Sequence, residues 1–146
     1  MKIDTAELEE YLHEKIPVAK QMGIGVDTCQ DGLVILRAPM HLNHNHLGTA
    51  FGGSLVTMAT LAGYCALWVA LGNRDAHIVV RRSRIEYDHP VTRDFKSVCR
   101  VPDSDAYRQF LENFEKRNKA RMNLEVTISE NDRECVRFDG EFVAFL

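Results

Sequence analysis

The sequence predicts an α+β domain in which an antiparallel sheet surrounds one long buried helix. Two observations carry that expectation. From Phe51 to Leu71 no residue is charged, and a helix that is apolar on every side has to be enclosed by other structure. Around that run lie short β-rich segments bounded by Gly, Asn and Asp, which is the pattern of hairpins.

The chain has 146 residues, of which 45% are hydrophobic, and a net charge of −3. This fits a single globular domain over residues 1–146, with no overall pull towards nucleic acid. Cys29, Cys65, Cys99 and Cys135 are far apart with no C-x-x-C pair, and Met1 to Thr5 lacks the apolar segment of a signal peptide. Free thiols in the cytoplasm are expected. The uncharged run is long enough to span a bilayer, which takes about 20 residues. Gly52, Gly53, Ser54, Thr57, Thr60 and Gly63 interrupt it, and no basic cluster stands close to either end, so the buried helix is the reading and a membrane is not an expected partner.

Taken in order, Asp4 and Thr5 precede an amphipathic helix with Leu8, Tyr11 and Leu12 on one face, ending before Pro17. Gly23–Cys29 and Leu33–Ala38 form two strands joined through Asp31-Gly32. A loop with three histidines then leads into the central helix, which Gly72 and Asn73 end. His77–Tyr87 is a long strand stopped by Pro90, and Phe95–Val101 is another. Asp103 or Ser104 caps a helix whose apolar face carries Phe110, Leu111 and Phe114. Ala120–Ile128 and Cys135–Leu146 alternate as strands and pair through Glu130-Asn131-Asp132.

The chemistry is expected where the central helix begins. A helix N-terminus leaves backbone N–H groups unpaired at the positive end of its dipole, so Gly52 and Gly53 offer donors that an oxyanion can approach closely. Gly53, Thr57, Thr60 and Tyr64 share one helical face by their spacing. Their hydroxyls either line a tunnel and hold a water, or bond back to helix carbonyls.

The motif Asn45-x-x-Gly48-Thr49-x-Phe51-Gly52-Gly53, followed by the uncharged helix and by Ile85-Glu86-Tyr87-Asp88-His89-Pro90-Val91, resembles the hotdog-fold acyl thioesterases of the phenylacetyl-CoA type. It is most similar to the thioesterase domain (YiiD C-terminal type) that follows an acetyltransferase domain in some bacterial proteins; here the domain is expected to stand alone. The resemblance implies a homodimer or homotetramer with active sites between subunits, and acyl-CoA or an acyl carrier protein as the thioester substrate. It implies no cofactor. By the same resemblance, Gly52 and Gly53 form the oxyanion hole and Asn45 orients the thioester or a water; Phe51, beside them in sequence, is expected to contact the substrate.

Two positions depart from the better-known members of that group. Phe51 stands where they have His, and Thr60 stands where they place a catalytic Asp or Glu. A neutral Thr60 cannot take a proton from water at neutral pH, so His46, beside Asn45, is the best replacement by its titration range. Decarboxylation of a malonyl thioester needs no base, only stabilisation of the developing oxyanion and desolvation of the carboxylate. Thr60 suits decarboxylation better than hydrolysis, but the resemblance keeps hydrolysis as the leading reading, malonyl-thioester decarboxylation as the enzymatic alternative, and a non-catalytic acyl-thioester-binding module as the alternative outside enzymology.

The remaining polar clusters have plainer readings. His41, His44 and His46 have no Cys, Asp or Glu beside them to complete a metal site, and hydrogen-bonding loop histidines are expected instead. Arg82 and Arg84 are expected on one side of their strand, with Arg81 on the other. They, or Lys116, Arg117, Lys119 and Arg121, are candidates to contact the phosphates of CoA or an acidic carrier protein.

Overall fold

The structure, a computed structural model, describes residues 2–146. In chain order the elements are α1 (Thr5–Lys15), α2 (Pro17–Gln21), β1 (Gly25–Gln30), β2 (Leu33–Ala38), a single 3-10 turn (Met40–Leu42), α3 (Gly52–Leu71), β3 (His77–Tyr87), β4 (Phe95–Arg100), α4 (Asp105–Arg117), β5 (Lys119–Glu130) and β6 (Arg133–Phe145). The strands make one antiparallel sheet in the order β1-β2-β4-β5-β6-β3.

Local chemistry explains the boundaries. Asp4 caps α1 in a reciprocal capping box with Glu7. Pro17 ends α1 but opens the short α2, because proline at a first helical position gives up an N–H that has no partner there anyway. The sequence expectation had no α2. The β1–β2 turn is Asp31-Gly32 and the β5–β6 turn is Asn131-Asp132, all with positive φ, as two-residue hairpin turns need. Gly72, left-handed at φ 70°, closes α3.

The central helix lies against β2, β3, β4, β5 and β6, with Met58, Ala59, Ala62, Cys65, Leu67 and Trp68 essentially inaccessible. Helix α3 is long and apolar enough to cross a membrane by length and composition; the sheet wraps it instead. Small residues let the two layers meet. A Cβ on Gly63 would stand 2.4 Å from the Phe142 ring of β6, far inside van der Waals contact. Helix α4 packs on β5 through Phe110 and Phe114, and the Tyr107 hydroxyl donates to the Ala70 carbonyl near the end of α3.

One strand departs from the expected alternation. A β-bulge in β3 between Val80 and Arg82 inserts Arg81, so Arg81 and Arg82 both reach Glu141, at 2.8 and 3.8 Å, rather than lying on opposite sides. Arg121 approaches the same carboxylate at 3.9 Å. The hydrogen bond from Arg81, with the charges of all three guanidiniums, holds Glu141 below the usual carboxylate range.

Candidate active site at the start of the central helix

The loop ahead of α3 is held by backbone and asparagine amides. Asn43 is buried, and its Nδ2 donates to the carbonyls of Met22 and Pro39 at 2.9 and 2.8 Å. Its own carbonyl accepts from the Phe51 N–H at 2.7 Å, while the Ala50 N–H donates to Val91. Asn45 folds the tip: Nδ2 donates to Thr49 Oγ1 at 2.8 Å, and Oδ1 accepts from the N–H groups of Leu47 and Thr49. Asn45 thus shapes the loop, with the near side of its amide already engaged by Thr49 and Leu47.

Helix α3 begins at Gly52 with Phe51 as its N-cap residue, and no side chain caps it. Its first N–H groups therefore keep the donors and the positive dipole end that the sequence led us to expect. Two aromatic rings border them. The Phe51 ring lies against Gly53, where a Cβ would be 2.4 Å from it, and that ring is 57% exposed. The Tyr87 hydroxyl donates to the Gly52 carbonyl at 3.3 Å, and its ring passes over Gly52. Tyr87 was part of the sequence motif but drew no role; its register at the end of β3, opposite the start of α3, is what brings it here.

One turn further along α3 a groove of about 320 Å³ begins, and Val56, Thr57, Thr60 and Tyr64 all line it. Its other walls are aliphatic or aromatic, from Ile16 and Val18 to Val80 and Phe142. Both threonine hydroxyls donate to their own helix, Thr57 to the Gly53 carbonyl and Thr60 to the Val56 carbonyl, each at 2.8 Å. Those protons are committed, and only lone pairs face the groove. The Tyr64 hydroxyl pairs with that of Tyr11 at 3.3 Å. Burial first, and that hydrogen bond second, push the Tyr64 phenol well above its usual range, so it stays protonated. Among the described residues, no Asp, Glu or His lines the groove.

The other sequence candidates are not brought into the groove. His46 is exposed on the loop beside Asn45, and His44 bonds through Nδ1 to the Asn45 carbonyl. Among the described residues, no three His, Cys, Asp or Glu side chains come together to hold a metal ion, His41, His44 and His46 included. Arg82 and Arg84 are 71% and 83% exposed and lie with Glu141 and Glu86, away from Thr57 and Thr60.

Similarity to known proteins agrees with this geometry. Residues 5–146 match the family described as "Putative thioesterase (yiiD_Cterm)". The chain belongs to this thioesterase family. A structure described as a "putative thioesterase" from Shewanella oneidensis is 31% identical, superposes with a TM-score of 0.86, and each chain is covered over 97%. A protein of unknown function from Chlorobaculum tepidum is 26% identical with a TM-score of 0.87, covering 97% of this chain and 93% of that one. A "probable thioesterase" of unknown function from Pseudomonas aeruginosa is 24% identical, with a TM-score of 0.83 and coverage of 99% and 97%. The family member described here therefore has the hotdog fold that its sequence resembled: an antiparallel sheet closed around a long helix. Asn43 and Tyr87 are the site-building residues that sequence reasoning missed. Asn43 is legible only through the carbonyls it reaches.

Proposed function

We propose that the chain hydrolyses acyl thioesters of CoA or of an acyl carrier protein, with the thioester carbonyl against the N–H groups of Gly52 and Gly53. The observation that carries this reading is the apolar groove that begins one turn beyond Gly53 and follows Thr57, Thr60 and Tyr64. An acyl chain laid there leaves its carbonyl at the uncapped helix end. Attack by water puts negative charge on the carbonyl oxygen, which the first-turn N–H groups stabilise without reorganising. The C–S bond then breaks and the thiolate leaves, taking a proton. The proton lost by the water goes to a group outside the groove, and His46 is the candidate, since Thr57 and Thr60 have neither charge nor a free proton to exchange.

The assembly proposed with this activity is a homodimer. Among the described residues, strand β3 is a sheet edge whose backbone on one side has no partner strand, and Val79 and Val80, 48% and 39% exposed, also line the groove. A second copy added along β3 satisfies that edge and closes the open side of the groove.

A second reading rests on the absence of any carboxylate or imidazole among the groove residues. In a malonyl thioester the bond to the carboxylate breaks, CO2 departs, and the electron pair becomes an enolate whose oxygen meets the same N–H groups. A solvent proton then completes the acetyl thioester. No base is required, and the apolar walls desolvate the departing carboxylate.

Incubation with decanoyl and malonyl thioesters, each on CoA and on carrier protein, separates the readings by mass spectrometry. Decanoic acid with free thiol is the expected outcome. Acetyl thioester with CO2 would replace hydrolysis by decarboxylation, and tight binding with intact substrates would leave a non-catalytic acyl-thioester-binding module.

A further inference from the structure

At the far end of the groove, Tyr64 is backed by this chain's own N-terminal helix. Tyr64 is the last residue of α3 to line the groove. One turn further along the same helix face stands Trp68, fully buried, with the Tyr11 ring of α1 stacked on it at 4.1 Å between centroids and 14° between planes. Tyr11 also meets Tyr64 through the hydroxyl pair at 3.3 Å. Beside this stop, Ile16 and Val18, from the junction of α1 and α2, form the side wall. The junction is rigid for a sequence reason: Pro17 opens α2, while the Ile16 N–H still bonds back to Leu12.

The helix gives the length of the space. Gly53 to Tyr64 spans eleven residues of α3, which at about 1.5 Å each is roughly 16 Å, and the stretch that lines the groove, Val56 to Tyr64, is roughly 12 Å. An extended alkyl chain advances about 1.25 Å per carbon, given carbon–carbon bonds near 1.5 Å, so these lengths take about thirteen and about ten carbons.

We infer that the α1–α2 junction is an acyl-length ruler: Tyr64 backed by Tyr11 sets the floor, Ile16 and Val18 set the wall, and the preferred occupant is a saturated chain of about ten to twelve carbons. This rests on the acyl-thioester reading of the same groove. It places the length-setting contacts at Tyr64 of α3 and at the α1–α2 junction and not in the catalytic loop, so length selection can be altered without touching the helix start. Each methylene up to the floor gains burial, about fourfold in affinity at the usual transfer energy, and the first carbon beyond it meets a wall of packed rings.

The test uses S-alkyl-CoA thioethers from butyl to hexadecyl, which cannot be hydrolysed, with binding to the purified protein followed by calorimetry. Affinity is expected to rise about fifteenfold per added pair of carbons, to break at decyl or dodecyl, and then to fall. Val18→Phe, at a site 48% exposed and so tolerant of substitution, is expected to move the break to chains two to four carbons shorter. Tyr64→Ala is expected to move it longer by a similar amount. Affinity that does not depend on chain length, or a break at the same carbon number in the wild type and in Val18→Phe, would overturn the ruler. Because the thioethers are inert, a ruler without turnover of the matching thioester would count against hydrolysis alone, and turnover without a break would count against the ruler alone.

Discussion

Gly53 and Gly63 sit on the same helix, and a methyl group added at each would meet an aromatic ring at 2.4 Å. The outcomes differ because the rings differ. Phe51, against Gly53, is 57% exposed and can swing outward. Gly53→Ala is therefore expected to fold with stability within about 1 kcal/mol of wild type but to lose most of its turnover, because the methyl and the displaced ring crowd the N–H groups. Phe142, against Gly63, is fully buried, so Gly63→Ala is expected to cost about 1–3 kcal/mol in denaturant melts, as overpacking does. Asn45→Ala removes three hydrogen bonds inside one loop and should cost about 1–2 kcal/mol. Turnover should fall much further than that loss of stability explains, since the loop carries the chain into Gly52; a wild-type rate would remove Asn45 from the site. Much of this site was legible from residue types. The double glycine announced where α3 begins, and the spacing of Thr57, Thr60 and Tyr64 announced a shared face. What was hidden depended on contacts distant in sequence: Asn43 reaching Met22, Tyr87 reaching Gly52, and Tyr11 reaching Tyr64.

At the scale of elements, α3 and the hairpins were readable because their signals are local. An uncharged run must be buried, and Asp31-Gly32 favours a tight turn whatever surrounds it. The short α2 was not, since Pro17 marks the end of α1 and the start of α2 with the same residue. Nor was the bulge at Arg81, because alternation along β3 assumes an unbroken ladder with β6. The element that wraps α3 also silences its thiol. Burial pushes the Cys65 thiol up, and that of Cys99 on β4 up to about 12. Both should resist alkylation at pH 8 in the folded protein and react once it unfolds. The linkage has a definite sign. A thiol whose folded value is raised holds its proton where the unfolded chain has lost it, so stability should fall as pH rises from about 9 towards the Cys99 value of about 12. Urea midpoints measured across that range check it; a midpoint that climbs with pH would contradict it.

At the scale of the whole molecule, one chain supplies the helix start and a groove lined by the α1–α2 junction, α3, β3 and β6, and leaves Val79 and Val80 exposed along β3. The proposed dimer through that edge predicts twice the chain mass in light scattering. Val79→Lys, which places a charge on the exposed edge, is expected to shift the protein towards monomer and to lower turnover in parallel, as an edge charge disfavours pairing. A monomeric variant with full activity would show that one chain completes the site. The central claim, however, is positional: the acyl carbonyl at the α3 N-terminus, the chain beside Thr57, Thr60 and Tyr64. A crystal structure with a ketone analogue of decanoyl-CoA, in which a methylene replaces the sulfur, tests this most directly. The account predicts the ketone oxygen within hydrogen-bonding distance of the Gly52 or Gly53 N–H and the tail ending against Tyr64. A ligand whose carbonyl lies away from that turn, or whose tail leaves the groove empty, would contradict it.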